Sequence, residues 1–198
     1  MMRPIPTSIP IESGDLLLFE SVLSPEKSTA IFNQLITDID WQTETLFLFG
    51  RNIQVPRLSA WYGDAAYTYS GLRHKPKKWL PILNELLSLV QNHTGTNFNS
   101  VLLNQYRRGS DGMSWHSDNE QELGQNPVIA SLSFGGKRRF RLRNTADKKQ
   151  TLSIDLKDAS LLVMAGPLQH NWQHTLSKTK KSVAPRINLT FRNIKAKN

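Results

Sequence analysis

Two hydrophobic periods divide the chain. In the first half, Ile31, Phe32, Leu35, Ile36 and Ile39 recur three and four residues apart, which places them on one face of a helix. Ser24-Pro25, just ahead of them, offers a capping hydroxyl and then a proline at the first helical position. A second stripe, Leu80, Leu83, Leu87 and Val90, predicts a helix from near Lys77 to about His93. Between the helices, Leu46 to Phe49 reads as a strand entering a tight turn at Gly50-Arg51-Asn52, and Ile53 to Trp61 as the strand returning. From residue 100 onward short strands take over, at 100–106, 128–134, 138–143, 151–156, 160–164 and 186–191. Turn signals separate them: Gly109-Ser110-Asp111-Gly112, Gly135-Gly136, Lys157-Asp158 and Ala165-Gly166-Pro167. No helical crossovers interrupt these strands, which argues against a parallel α/β sheet. The expected class is mainly β with N-terminal helices (α+β), its strands forming a sandwich or jelly roll.

Composition narrows the function. The chain has 198 residues, 38% of them hydrophobic, which suits a single globular domain. Residues 1–12, with Pro4, Pro6 and Pro10, read as a flexible arm, and 13–198 as one domain. The absence of cysteine excludes disulfides, thiolate metal sites, iron–sulfur clusters and a Cys nucleophile. The apolar run Leu16 to Phe19 is far short of a membrane span, and the first residues have no signal-peptide apolar core. No membrane partner and a cytoplasmic setting are therefore expected. Residues 1–100 hold 8 basic and 9 acidic side chains, whereas residues 101–198 hold 17 and 7. The excess positive charge is concentrated in one half, as for a surface that meets a polyanion; a solvated basic face would look the same.

Two motifs carry chemistry. In His116-Ser117-Asp118, residues two apart on an extended segment project to one side, so an imidazole and a carboxylate can reach one ion. Two histidines and one carboxylate form the facial triad of non-haem iron(II) oxygenases, with positions left open for a chelating co-substrate and O2. The third ligand lies elsewhere. His170 and His174 both qualify and spacing does not choose between them; His74 and His93 read as surface residues. Alone, the His-x-Asp pattern reads sooner as an ordinary exposed turn histidine than as a metal site. The second motif is Arg186-Ile187-Asn188-Leu189-Thr190-Phe191-Arg192, which alternates strictly. Its polar row is either a solvated strand face or the lining of a polar cavity, where paired arginines suit carboxylates. Asn104 and Tyr106 likewise share a face.

Taken in order, Asn104-x-Tyr106, His116-x-Asp118, His174 and Arg186-x-Asn188-x-Thr190-x-Arg192 resemble the AlkB family of iron(II)- and 2-oxoglutarate-dependent nucleic-acid dealkylases. The resemblance spans about residues 45 to 194. In Tyr62-Gly63-Asp64-Ala65, in Tyr67-Thr68-Tyr69-Ser70-Gly71 and in 184–192 it is most similar to the branch whose human homologue repairs double-stranded DNA. It implies a double-stranded β-helix over about 100–194, capped by a nucleotide-recognition lid over about 45–75. It implies iron ligation by His116, Asp118 and His174. It also implies 2-oxoglutarate binding by Arg186 and Arg192, with Asn104, Tyr106, Asn188 and Thr190 in support. The implied reaction consumes 2-oxoglutarate and O2, hydroxylates the N-methyl group of N1-methyladenine or N3-methylcytosine, and releases formaldehyde, succinate and CO2. The base must first be flipped out of the stack. Tyr67 and Tyr69 match its pocket, Asn119 and Glu120 its edge, and Phe49-Gly50-Arg51 an intercalating wedge; a phenylalanine at a strand end is otherwise core. Arg51, Arg107 and Lys178 to Lys181 are candidate phosphate contacts, and Lys137 to Arg143 a basic outer strand face. The expected partner is alkylated DNA, duplex rather than single-stranded, bound by a monomer that is nucleoid-associated in a bacterium or nuclear in a eukaryote. An RNA demethylase of the same chemistry and a nucleic-acid-binding module without turnover are the alternatives.

Overall fold

The computed structural model describes residues 5–48, 51–64, 67–69, 72–74 and 76–195. Its elements run β1 (Thr7–Ser8), β2 (Asp15–Phe19), α1 (Pro25–Asp38), β3 (Gln42–Leu48), β4 (Arg51–Gly63), β5 (Tyr67–Tyr69), β6 (Leu72–His74) and α2 (Pro81–Thr94). There follow β7 (Ser100–Tyr106), β8 (Met113–His116), β9 (Ile129–Gly135), β10 (Arg138–Asn144), β11 (Thr151–Leu156), β12 (Leu161–Ala165), α3 (Leu168–Asn171), β13 (Trp172–Leu176) and β14 (Arg186–Arg192). Among the described residues no helix is long and apolar enough to cross a membrane.

Local chemistry sets the helix limits. Ser24 caps α1 by accepting the Lys27 N–H, and Pro25 fits the first turn, whose N–H has no helical partner. The second helix begins at Pro81, later than the periodicity suggested. Lys77 is instead tied to β4: its N–H donates to the Trp61 carbonyl, and its own carbonyl accepts from Gly63. Helix α2 ends on Gly95, whose φ of 66° is the left-handed conformation that favours glycine. Part of the stretch expected as a flexible arm is ordered. Thr7 and Ser8 pair with Leu18 and Leu17, and the Trp172 indole donates to the Glu12 carbonyl.

Eight strands form the larger sheet in the order β1-β2-β12-β9-β14-β7-β4-β3, and four form the smaller, β11-β10-β13-β8; every pair is antiparallel. The two faces of the larger sheet have different fates. Leu103, Leu132, Ile187, Leu189 and Phe191 turn toward α1 and α2 and join Leu35, Leu83, Leu86 and Val90 in the main core. The opposite face looks at the smaller sheet. One end of that interior is closed by Leu16, Ile129, Leu142, Leu162, Met164 and Trp172. The other end stays polar, because β14, β7 and β9 contribute side chains that carry hydrogen-bonding groups. Such groups are stable away from water only when paired with one another or with a ligand.

The connection from β7 to β8 is held by Asp111. Its buried carboxylate accepts from the Arg107 N–H at 2.9 Å and from Arg107 Nε at 2.8 Å. Burial alone would raise the Asp111 pKa; the hydrogen bonds and charge of Arg107 outweigh it and lower the value. A lowered folded-state pKa gives stability that is complete above the unfolded carboxylate value of about 3.9 and is lost as pH falls through the folded one. Asp111→Asn is expected to cost about 1–3 kcal/mol near neutral pH. In thermal melts, the gap from wild type should narrow once the pH drops below about 4.

Candidate metal and co-substrate centre

The smaller sheet brings the histidines together. His116 ends β8 and lies opposite His174 on β13, with ring centroids 4.2 Å apart. Asp118 follows β8 directly, and its N–H donates to Gln169 Oε1 at 3.0 Å, which fixes the turn. The Ser117 hydroxyl donates to the Trp172 carbonyl at 3.0 Å and ties the same turn to β13. One ligand-type atom from each of His116, Asp118 and His174 falls within 4.8 Å of the others. His170 is exposed on α3, away from this cluster, so the fold selects His174 from the two.

The protonation states suit a metal. His116 Nδ1 lies 2.9 Å from the Ser114 carbonyl, an acceptor only, so Nδ1 carries the proton and Nε2 the lone pair. Burial lowers the His116 pKa. For His174, burial and then the neighbouring His116 push it down to about 3. Burial opposes ionisation of Asp118, but Arg192, His174 and His116 overcome it and hold the carboxyl at about 2. Two neutral imidazoles and a carboxylate are the forms that ligate a divalent ion. Asp118 Oδ1 accepts from Arg192 Nη2 at 2.9 Å, whereas Oδ2 is buried without a hydrogen-bond partner, 3.9 Å from His174 Nε2. An orphaned carboxylate oxygen facing two imidazoles fits an iron ion.

The larger sheet supplies the opposite wall. Every residue of β14 is buried, so the polar row lines an interior, and the solvated-face account of this strand is set aside. Register places Arg186 opposite Tyr106 and Asn188 opposite Asn104. Asn104, Asn188, Thr190 and Arg192 line one cavity together with His116, Asp118 and His174. Asn188 Nδ2 donates to Ser131 Oγ at 2.8 Å, and the Thr190 hydroxyl donates to Asn188 Oδ1 at 3.2 Å. These two residues therefore brace the wall. Arg186 is 2% exposed, stacks 5.4 Å from the centre of the Tyr106 ring and donates to Ser133 Oγ, yet its Nε is buried without a partner. Burial lowers its pKa to about 10, and nearby Arg138 adds to the effect. Among the described residues no carboxylate forms a salt bridge with Arg186. A buried cation with an unused donor fits an anionic co-substrate.

The chain matches known proteins over most of its length. The description "2OG-Fe(II) oxygenase superfamily" fits residues 6–192. The human "DNA oxidative demethylase ALKBH2" is 40% identical over 176 residues, covering 83% of this chain and 67% of that protein. The chain belongs to the AlkB family. Human "Alpha-ketoglutarate-dependent dioxygenase alkB homolog 3" is 38% identical over 186 residues, and its bovine counterpart 40% over 178. The two human proteins match so nearly alike that identity does not assign this AlkB-family chain to one branch. It spans 62% of the length of the bovine relative and 65% of the human one. The solved structure described as "The structure of OsALKBH1" superposes with a TM-score of 0.70 at 15% identity, over 94% of this chain and all of that one, and so shares the jelly-roll fold. Iron(II) and 2-oxoglutarate are the cofactors of this family, and the donor set here fits both.

Some expected site residues lie apart from the cavity. Asn119 is exposed and Glu120 half-buried just after Asp118, and neither lines it. Tyr67 and Tyr69 are both on β5, but their side chains, like all of Phe49 and Gly50, lie outside the described residues; Arg51 is exposed at the start of β4. Arg107 and Arg108 are brought beside the exposed Lys178, Lys180 and Lys181, because the Thr179 N–H donates to the Gly109 carbonyl at 2.8 Å. Only glycine fits at 109, since a Cβ would collide with the Thr179 carbonyl. In the basic strip, Arg139, Arg141 and Arg143 do face outward, the last stacking 4.3 Å from the centre of Trp115, whereas Arg138 is buried and donates to the Asp111 and Ser177 carbonyls.

Several site residues escape sequence reasoning. Ser131 and Ser133, two apart in the otherwise apolar β9, hydrogen-bond the polar residues of β14, and their small polar period was a usable signal. Gln169 and Arg57 gave none.

Proposed function

We propose that this protein is an oxidative demethylase of alkylated bases in DNA, acting on N1-methyladenine and N3-methylcytosine. One observation carries the reading. A His-Asp-His cluster faces Asn104, Asn188, Thr190 and Arg192 across one cavity, and Arg186, on the same polar row of β14, is buried with no carboxylate partner among the described residues, in a chain whose net charge is +9. Bound iron supplies oxidation of the N-methyl group at the expense of 2-oxoglutarate and O2. The chain's residues do the rest. His116, Asp118 and His174 hold the ion. Arg192 keeps Asp118 ionised and aimed at it. Arg186 neutralises a co-substrate carboxylate that would otherwise be costly to bury. The apolar walls Leu102, Met113, Phe140 and Leu176 exclude water from the reacting group. Since the methyl group of a paired base is out of reach, the nucleotide must rotate out of the stack. Tyr67 and Tyr69 are the proposed base platform, and Phe49 the side chain that fills the gap. Arg107, Arg108, Lys178, Lys180 and Lys181 form one basic edge suited to phosphates.

The test is formaldehyde and succinate release from an oligonucleotide carrying one N1-methyladenine, with Fe(II), ascorbate and 2-oxoglutarate. It is run on duplex DNA, single-stranded DNA and RNA. Lesion-dependent formaldehyde from DNA is expected, duplex before single strand. Formaldehyde from RNA alone would replace DNA by RNA as the substrate. Succinate formed without any base repair would remove nucleic acid from the reading, and no turnover despite bound iron would leave a binding module.

A further inference from the structure

The β3–β4 ladder is irregular at one place. Thr43 pairs with Leu58 but Thr45 with Gln54, so Val55, Pro56 and Arg57 stand against Glu44 alone. Pro56 has no N–H to give the ladder, and its carbonyl accepts instead from the Gly112 N–H at 3.2 Å. Arg57 is the last residue of this bulge. Ser59 lies opposite Asn104 and Leu58 opposite Gln105, so Arg57 shares the face that carries Asn104 and Tyr106. The guanidinium is 7% exposed. Its Nε donates to Asn104 Oδ1 at 2.6 Å, and its Nη2 lies 3.9 Å from Glu44 Oε2.

We infer that Arg57 is a positioning residue for co-substrate binding, which orients the Asn104 amide and ties it to the β3–β4 hairpin. The geometry gives the reason. An amide offers one acceptor end and one donor end. Arg57 occupies the acceptor end of Asn104, so the NH2 end is the one presented to the cavity. Only that end can donate to a carboxylate. A flipped amide would turn its oxygen toward the anion and repel it. Glu44 holds the guanidinium from the far side, so the chain Glu44–Arg57–Asn104 runs from β3 through β4 to β7. Because β3 ends at Leu48 and β4 begins at Arg51, this chain of contacts joins the two strands of the hairpin to the amide facing 2-oxoglutarate.

The inference rests on the reading that Asn104 contacts 2-oxoglutarate, and its test separates the two. 2-Oxoglutarate is titrated calorimetrically into the full chain loaded with Mn(II), for wild type, Arg57→Met, Arg57→Lys, Asn104→Ala and the Arg57→Met/Asn104→Ala pair. Mn(II) affinity and the melting temperature are followed alongside. Arg57→Met is expected to weaken 2-oxoglutarate about tenfold, corresponding to about 1.4 kcal/mol, with Mn(II) affinity unchanged. In the Asn104→Ala background it should add nothing, because the two residues act as one unit. Arg57→Lys keeps the charge and loses the Nε donor, so it should behave as Arg57→Met. If it binds like wild type, charge alone suffices and the positioning role falls. If Asn104→Ala weakens binding and Arg57→Met does not, the positioning role falls while the Asn104 reading stands. If neither matters, the Asn104 reading itself fails. Should Arg57→Met not fold, Glu44→Gln at the outer end of the chain gives the same answer at about two- to threefold weaker binding; unchanged binding there overturns the role.

Discussion

His174→Ala is expected to lose iron binding and reduce turnover by more than about a hundredfold, while His170→Ala, four residues away, behaves as wild type. Loss of residues that merely orient metal ligands costs 10–100-fold in affinity or activity, and His174 is itself one of three ligand candidates within 4.8 Å of one another. Its ring is buried and neutral at working pH, which removes the competition of a proton for its lone pair. His170 sits on the exposed face of α3, so its removal leaves the cavity as it is. Metal titration monitored by Co(II) absorbance, paired with succinate release, reads both effects. Tight metal binding by His174→Ala, or its loss in His170→Ala, would refute the assignment.

Arg186→Met should separate stability from function. The native guanidinium is buried beside Arg138 and Tyr106 with no carboxylate partner among the described residues, an arrangement that disfavours the folded state until an anion arrives. Methionine fills a similar volume without the charge. The variant should melt at the same temperature or higher, by up to about 3 kcal/mol of added stability. Its affinity for 2-oxoglutarate should fall about thirtyfold or more, the loss expected when one partner of a buried charge pair is removed. In the wild type, 2-oxoglutarate should raise the melting temperature; in the variant it should not. A variant that is both less stable and still bound by 2-oxoglutarate would mean that Arg186 serves the core instead.

Much of this was legible in the residues, for reasons that differ along the chain. The strict alternation of 186–192 located β14 and its two faces, because a strand with one buried apolar row writes that period directly. It did not reveal that the polar row is also buried, since an interior polar wall and a wet surface have the same pattern. Only the smaller sheet, packed across from it, decides the matter. The triad was half legible. His116 and Asp118 are two apart on one segment, but His174 reaches them through the β8–β13 pairing, a contact between residues 58 positions apart in the sequence. The same holds for Arg57, which is an ordinary arginine in the sequence and becomes part of the site only because β4 pairs with β7 and sets it against Asn104. Helix α2 starts later than its periodicity predicts because Lys77 is held in a backbone bridge to β4, a tertiary pairing that the local pattern does not carry.

Strand β14 carries the helix-covered core on Ile187, Leu189 and Phe191 and a buried polar row on Arg186, Asn188, Thr190 and Arg192, which alternate with them. One inserted or deleted residue inside 186–192 would exchange the two sets, driving arginines into the main core and phenylalanine into the cavity. Insertions should therefore be tolerated best in connections, such as 145–150 and 182–185, where no such exchange follows. A library of single-codon insertions should show this directly, with survivors accumulating in those loops and absent from β14. The strand that is least forgiving of insertion would be the one that builds core and catalytic cavity at once.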